Sequence, residues 1–175
     1  MPSRVTGSAS LKKAPSGPPR DASADGLPSF DVVLPSEPCR VEQARHSTNA
    51  WLKQRCGMTD DRSALLLLVV SELCANAIQH GRSEVFGLCG RMRSDGSVRL
   101  EVRDWSPSAV PLPQRAEPMD EGGRGLFLVD AFVADDLGGA WGFEDDGTVA
   151  WCEVPLRADG SACASPPGSM RRWPS

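Results

Sequence analysis

Three groups of residues have types and spacings that could do chemistry. Glu72 and Asn76 lie four apart within Ser71-Glu72-Leu73-Cys74-Ala75-Asn76-Ala77-Ile78-Gln79-His80-Gly81. On a helix that interval stacks them one above the other. A carboxylate able to take a proton and a carboxamide oxygen able to ligate a hard cation would then share one wall. Asp104 ends the alternating run that begins at Val98, and is a charged acceptor at a strand rim of the kind a purine amino group needs. Gly122-Gly123-Arg124-Gly125 precedes the apolar run Leu126 to Ala134. A glycine-rich turn opening a helix lets backbone N–H groups approach phosphate oxygens, aided by the positive end of the helix dipole. Arg124 would add a fixed charge suited to the same oxygens. Each group also has a plainer reading. Glu72 and Asn76 could bond neighbouring backbone or sit at a wet edge, Asp104 could be a turn residue, and the glycines could serve only a tight turn.

Periodicity names the elements that would position these groups. From Arg62 onward, Leu66, Val69, Val70, Leu73 and Ala77 recur at helical spacing. This predicts one buried helix, capped by Thr59-Asp60-Asp61 and stopped by Gly81 in a left-handed C′ conformation. Upstream, residues 30–34 alternate and read as a strand closed by Pro35, and Val41, Ala44, Thr48, Trp51 and Leu52 mark a helix from Val41 to Cys56 with Gly57 as its stop. Downstream, strands over 84–92 and 98–104 flank the turn Ser94-Asp95-Gly96-Ser97 and predict a hairpin. The proline-rich stretch 106–120 is expected to be a long functional loop. A short helix over 126–134 and a closing hairpin, 140–143 and 149–156, complete the order. The fold class expected is α+β: a two-layer α/β sandwich, with a mixed sheet carrying its helices on one face.

Composition narrows the function classes. With 40% hydrophobic and 24% charged residues, the 175-residue chain has the make-up of a soluble globular protein. Its net charge of −4 argues against a general nucleic-acid binder or an anionic-membrane binder, which need a basic face. The longest apolar run is too short to span a bilayer. Residues 1–28 and 158–175 are rich in small residues and proline and are expected to be disordered tails, which leaves 29–157 as the folded domain. Trp173 in the second tail reads as a stray aromatic. Cys39, Cys56, Cys74, Cys89, Cys152 and Cys163 are scattered with no C-x-x-C pair, so reduced thiols in a cytoplasmic protein are expected, and two histidines without ligand spacing make a zinc site a poor fit.

In this order, the motifs resemble the GHKL ATPase superfamily, which includes the catalytic domains of histidine kinases and gyrase B. Within it the chain is particularly similar to the anti-sigma-factor serine/threonine kinase family, the small ATP-binding regulators of actinomycete type. Ser71 to Ala77 with His80-Gly81 looks like that family's N box, and Val102-Arg103-Asp104 like the start of its first glycine box. Gly122-Gly123-Arg124-Gly125-Leu126-Phe127-Leu128-Val129 looks like the second, and Trp141-Gly142 with Gly147 to Leu156 resembles the closing strands. The resemblance implies ATP and Mg²⁺ as ligands. Asn76 would bind the metal, Glu72 would be the general base, and Asp104 would accept from the adenine amino group. Gly123, Arg124, Gly125 and Leu126 would hold the phosphates as loop 106–120 closes over them. It further implies a sigma factor or an antagonist protein as partner, phosphorylation of that antagonist, and a homodimer as the working form. His80 matches a common family residue and is expected to be structural.

Two departures stand out. The superfamily usually has a glycine two positions after this aspartate, whereas here the run is Asp104-Trp105-Ser106-Pro107. A threonine near the adenine is typical of the closing strand, but a gapless alignment on Trp151 places Val149 there and Thr148 one residue away. The altered box keeps open a second function, a non-catalytic module in which nucleotide only gates protein binding. A two-component histidine kinase would need an upstream dimerising hairpin with a phospho-accepting histidine; only His46, on a half-polar helix, stands there.

Overall fold

Strand β1 (Ser29–Pro35) turns Asp31 and Val33 outward and buries Leu34, the alternation expected of a half-buried strand. The computed structural model containing it describes residues 26–105, 124–144 and 147–157. The tails 1–25 and 158–175, residues 106–123 with the expected loop 106–120, and Asp145 and Asp146 lie outside the described residues. Helix α1 (Arg40–Trp51) buries Ala44, Thr48 and Trp51. The Thr48 hydroxyl reaches back 2.9 Å to the Ala44 carbonyl. The helix then widens into a π-helical segment, Leu52–Cys56, which ends on left-handed Gly57 (φ 68°), the stop expected there.

Helix α2 (Asp60–His80) is the longest element. Thr59 takes the extended N-cap backbone but makes no side-chain capping bond, while Asp60 and Asp61 place negative charge in the first turn. Leu66, Val69, Val70, Leu73 and Ala77 are all buried, as their spacing requires. Its C-terminus corrects one expectation. Gly81 is not left-handed: φ is −66° and ψ is 151°, ordinary extended backbone. Glycine is needed there for space, since a Cβ would collide with the Ala77 carbonyl and lie 3.1 Å from Cβ of Asp104. By length and composition alone α2 would pass for a membrane span, since it has 21 residues and its most apolar 18-residue window has a mean hydropathy of 1.4. Here its apolar stripe belongs to the core packed on the sheet.

Strands β2 (Val85–Met92) and β3 (Ser97–Arg103) form the expected hairpin, with Met92 opposite Val98 and the turn carried by Gly96 at φ 80°. Helix α3 (Arg124–Asp130) runs into a second π-helical segment, Ala131–Asp136. Strands β4 (Ala140–Phe143) and β5 (Val149–Pro155) close the domain. The sheet order is β1-β2-β3-β5-β4 and every pairing is antiparallel, so the expected mixed sheet is not found. The connections explain why. Two helices between β1 and β2 return the chain to the end it left. The crossover from β3 through α3 to β4 leaves one position open, and β5 fills it antiparallel to both neighbours.

The helices cover one face. Phe86, Leu88, Val98, Leu100, Val102, Cys152 and Val154 point into that layer and are buried. The opposite face is polar. Arg99 bonds Glu101 at 2.7 Å and Glu144 at 3.1 Å and lies 4.4 Å from the centre of the Trp151 ring. Burial raises the Glu101 carboxyl, but the hydrogen bond and charge of Arg99, with Arg91, outweigh it and hold the group below its ordinary value. The described cysteines are free thiols, as expected, and burial pushes Cys74 and Cys152 up to about 12.

Candidate functional site

The second half of α2 faces the end of β3 and the β4–β5 hairpin across a cleft. Leu73, Asn76, Ala77 and His80 line it from α2, Val102 and Asp104 from β3 and its end, and Phe143, Gly147, Thr148 and Ala150 from the hairpin. Leu73, Ala77, Val102 and Ala150 make an apolar floor, and Asn76, Asp104 and Thr148 bring polar groups to it. This is the make-up of a small-molecule site: a flat apolar bed with a few convergent polar groups that fix orientation.

Each polar group is held by a local feature. Asp104 follows the last residue of β3, and its backbone N–H donates to the Thr148 carbonyl at 3.1 Å, which ties the two cleft walls together. Gly81, lacking a Cβ, lets Asp104 come down against the end of α2. Asn76 sits one turn before His80, and its buried Nδ2 has no hydrogen-bond partner among the described residues. Such an orphan costs about 1–3 kcal/mol, which is tolerable at a place where something else is to be bound. A carboxamide can exchange its N and O by rotation, so the unmet demand belongs to the amide as a whole.

Glu72 lies one turn further back, where α2 packs on α3. A Cβ on Gly125 would stand 2.5 Å from its Oε2, so the carboxylate lies against the start of α3 and would have to swing aside for any side chain there. Arg124 and Gly125 belong to the first turn of that helix rather than to a turn before it. Leu126 buries its side chain, so its backbone N–H is what it can offer an anion. Of the expected site residues, Asn76 and Asp104 therefore share one cleft, Glu72 and Gly125 meet at its neighbour, and Gly123 lies outside the described residues.

Three residues that line the cleft were not among the expected site residues. Thr148, passed over for Val149, is the one that lines the cleft, while Val149 is buried. Counting back in steps of two from inward-facing Cys152 and Ala150 reaches Thr148, a signal that gapless alignment on Trp151 overrode. His80, expected to be structural, also lines the cleft. Phe143 had no local signal, because only the pairing of Phe143 with Ala150 brings it to the site.

A family model described as a histidine kinase-like ATPase domain matches residues 34–149. The chain belongs to that family. As a histidine kinase-like ATPase domain it is of GHKL type and binds ATP. Among solved structures, the histidine kinase domain of the blue-light activated histidine kinase from Erythrobacter litoralis EL346 is similar at 20% identity and a TM-score of 0.45, over 70% of this chain and 62% of that one. Full-length ShkA in complex with AMPPNP is similar at 21% identity and a TM-score of 0.47, over 70% of this chain and 31% of that one. The ATPase domain thus spans less than two thirds of either structure's chain. No curated protein matches it. The expected nucleotide fits the site through the orphaned amide of Asn76, an unmet polar demand that a phosphate or its cation would satisfy, whereas the space over Gly125 is taken by the Glu72 carboxylate.

Proposed function

We propose that this chain is an ATP-binding regulatory protein of the anti-sigma-factor type, which uses MgATP to phosphorylate a serine or threonine of an antagonist protein. The observation that carries this reading is the position of Glu72, with its carboxylate against Gly125 and one helical turn from Asn76. In it the apolar floor takes the base, Asp104 accepts from its amino group, and Asn76 gives an oxygen to the cation. Gly125, with Gly123, Arg124 and Leu126, presents backbone N–H groups and charge to the phosphates. Mg²⁺, when bound, would neutralise phosphate charge as it shifts during transfer. Glu72 takes the proton of the partner's hydroxyl as that oxygen bonds the γ-phosphorus of ATP and the bond from that phosphorus to the bridging oxygen breaks, releasing ADP.

The test is transfer from radiolabelled ATP to a candidate antagonist. Glu72→Gln should lower transfer by about 10²- to 10⁴-fold, the usual contribution of a general base, with nucleotide affinity by calorimetry nearly unchanged. Unchanged transfer would remove Glu72 as the base. One observation favours a second reading, a nucleotide-gated binding module without catalysis: the altered box puts Trp105 in left-handed backbone, just before Ser106, which stands where the family glycine is usual. Tight nucleotide binding with no transfer in the partner's presence would select that reading. A sigma factor and an antagonist as partners, a homodimer and a cytoplasmic setting belong to the same proposal. The free thiols of Cys39, Cys56, Cys74, Cys89 and Cys152 suit a reducing compartment, and a pull-down from cytoplasm with ATP present would identify the partners.

A further inference from the structure

Trp105 is the one described residue other than glycine with a positive φ, 53°. A side chain there crowds the neighbouring carbonyl, so the conformation persists only if something outside the local backbone holds it. That something is visible on the far side of the sheet. A Cβ on Gly87 would meet Cη2 of the Trp105 indole at 3.0 Å and Cζ2 at 3.5 Å, so the ring occupies the space that a side chain at position 87 would fill. Gly87 pairs with Arg103 on the polar face of the sheet and is nonetheless buried, while Trp105 keeps 36% of its surface exposed.

Asp104 lines the cleft and the indole of Trp105 lies across the opposite face, so adjacent residues grip the two sides of the sheet. On the cleft side Asp104 is bounded by Gly81 and by the bond from its N–H to the Thr148 carbonyl. We infer that Trp105 is a positioning residue for Asp104. The indole, seated on the notch at Gly87, holds the left-handed backbone that follows β3 and so fixes the direction in which Asp104 presents its carboxylate. Without the ring, the backbone relaxes to negative φ and Asp104 turns with it. The ligand in this inference rests on the nucleotide reading above, whereas the strap itself rests on geometry and can be read with no ligand present.

Two variants attack the strap from opposite ends. Trp105→Ala removes the ring, and Gly87→Val fills its notch with a residue that suits a strand. Trp105→Phe is the conservative control. Two quantities are measured: hydrogen exchange of the Asp104 amide relative to that of Leu100 in mid-β3, and the dissociation constant for MgATP. Trp105→Ala and Gly87→Val should each speed Asp104 exchange about tenfold while leaving Leu100 protected, the mark of local opening rather than lost global stability. Both should weaken MgATP about tenfold, and Trp105→Phe should restore most of each loss. Asp104 exchange at the wild-type rate in both variants overturns the strap. Exchange that speeds with no change in affinity overturns its role in positioning Asp104 for a ligand. A wild-type protein that binds no nucleotide overturns the reading under Proposed function, and the exchange data then decide the strap alone.

Discussion

Asn76 and Glu72 share one helix, one turn apart, yet their surroundings ask different things of them. The amide of Asn76 has a buried group without a partner among the described residues, so it destabilises the ligand-free protein where it stands. Asn76→Ala should therefore raise the thermal midpoint of the ligand-free protein, by an amount set by the roughly 1–3 kcal/mol cost of such an orphan less the packing it forfeits. The same change should weaken MgATP more than tenfold by calorimetry. A lowered midpoint would mean that the amide is a structural bond after all. Thr148 makes the companion case. Its carbonyl already accepts from Asp104, so Thr148→Val keeps that link and removes only the hydroxyl from the cleft. The expected loss is about three- to tenfold in nucleotide affinity by calorimetry, the scale of one hydrogen bond.

At the scale of elements, α2 does two jobs, and Gly81 is where they meet. Its apolar stripe anchors the core, and its final turn forms one wall of the cleft. Propensity alone predicts that Gly81→Ala stabilises, since φ of −66° suits alanine and the unfolded chain loses freedom, a gain of about 0.4–1 kcal/mol. Packing predicts the opposite sign. The new methyl would strike the Ala77 carbonyl, which is backbone and cannot swing away, and would press on Asp104. Overpacking of this kind costs about 1–3 kcal/mol, so packing should win. Denaturant unfolding should show Gly81→Ala less stable, and calorimetry should show weaker nucleotide binding because Asp104 is displaced. A stabilised variant would return the glycine to a simple helix stop.

The whole domain is tied by a residue far from the cleft. Arg62, in the first turns of α2, donates through Nη2 to the Leu137 carbonyl at 2.8 Å and to the Pro155 carbonyl at 2.7 Å. It thereby joins α2 to the end of the second π-helical segment and to the end of β5. Burial lowers its pKa, but an arginine remains a cation, so both bonds are charge-assisted. Arg62→Met keeps the stem and drops both bonds, leaving two carbonyls short. Each such bond is worth about 1.5–3 kcal/mol and one Nη2 serves both, so the low end of their sum, about 3 kcal/mol, is expected as a lower urea midpoint at unchanged slope. Nucleotide affinity should hold, because none of these contacts reaches the cleft.

Much of this was legible from residues 29–157 alone. Alternation and helical spacing are local consequences of pleat and pitch, so the strands, the buried stripe of α2 and the Gly57 stop could be read along the chain, as could the ordered boxes that mark the histidine kinase-like ATPase family. What needed the tertiary structure depends on partners distant in sequence. The sheet is wholly antiparallel because of where β5 inserts, which no single strand encodes. Gly81 is glycine because Asp104 arrives from another strand, Thr148 rather than Val149 lines the cleft because of the register of β5 on β3, and Trp105 is tolerable at positive φ because Gly87 leaves room for its ring. Sequence spacing determined which residues share a face of an element; which faces meet, and how closely, was decided by packing.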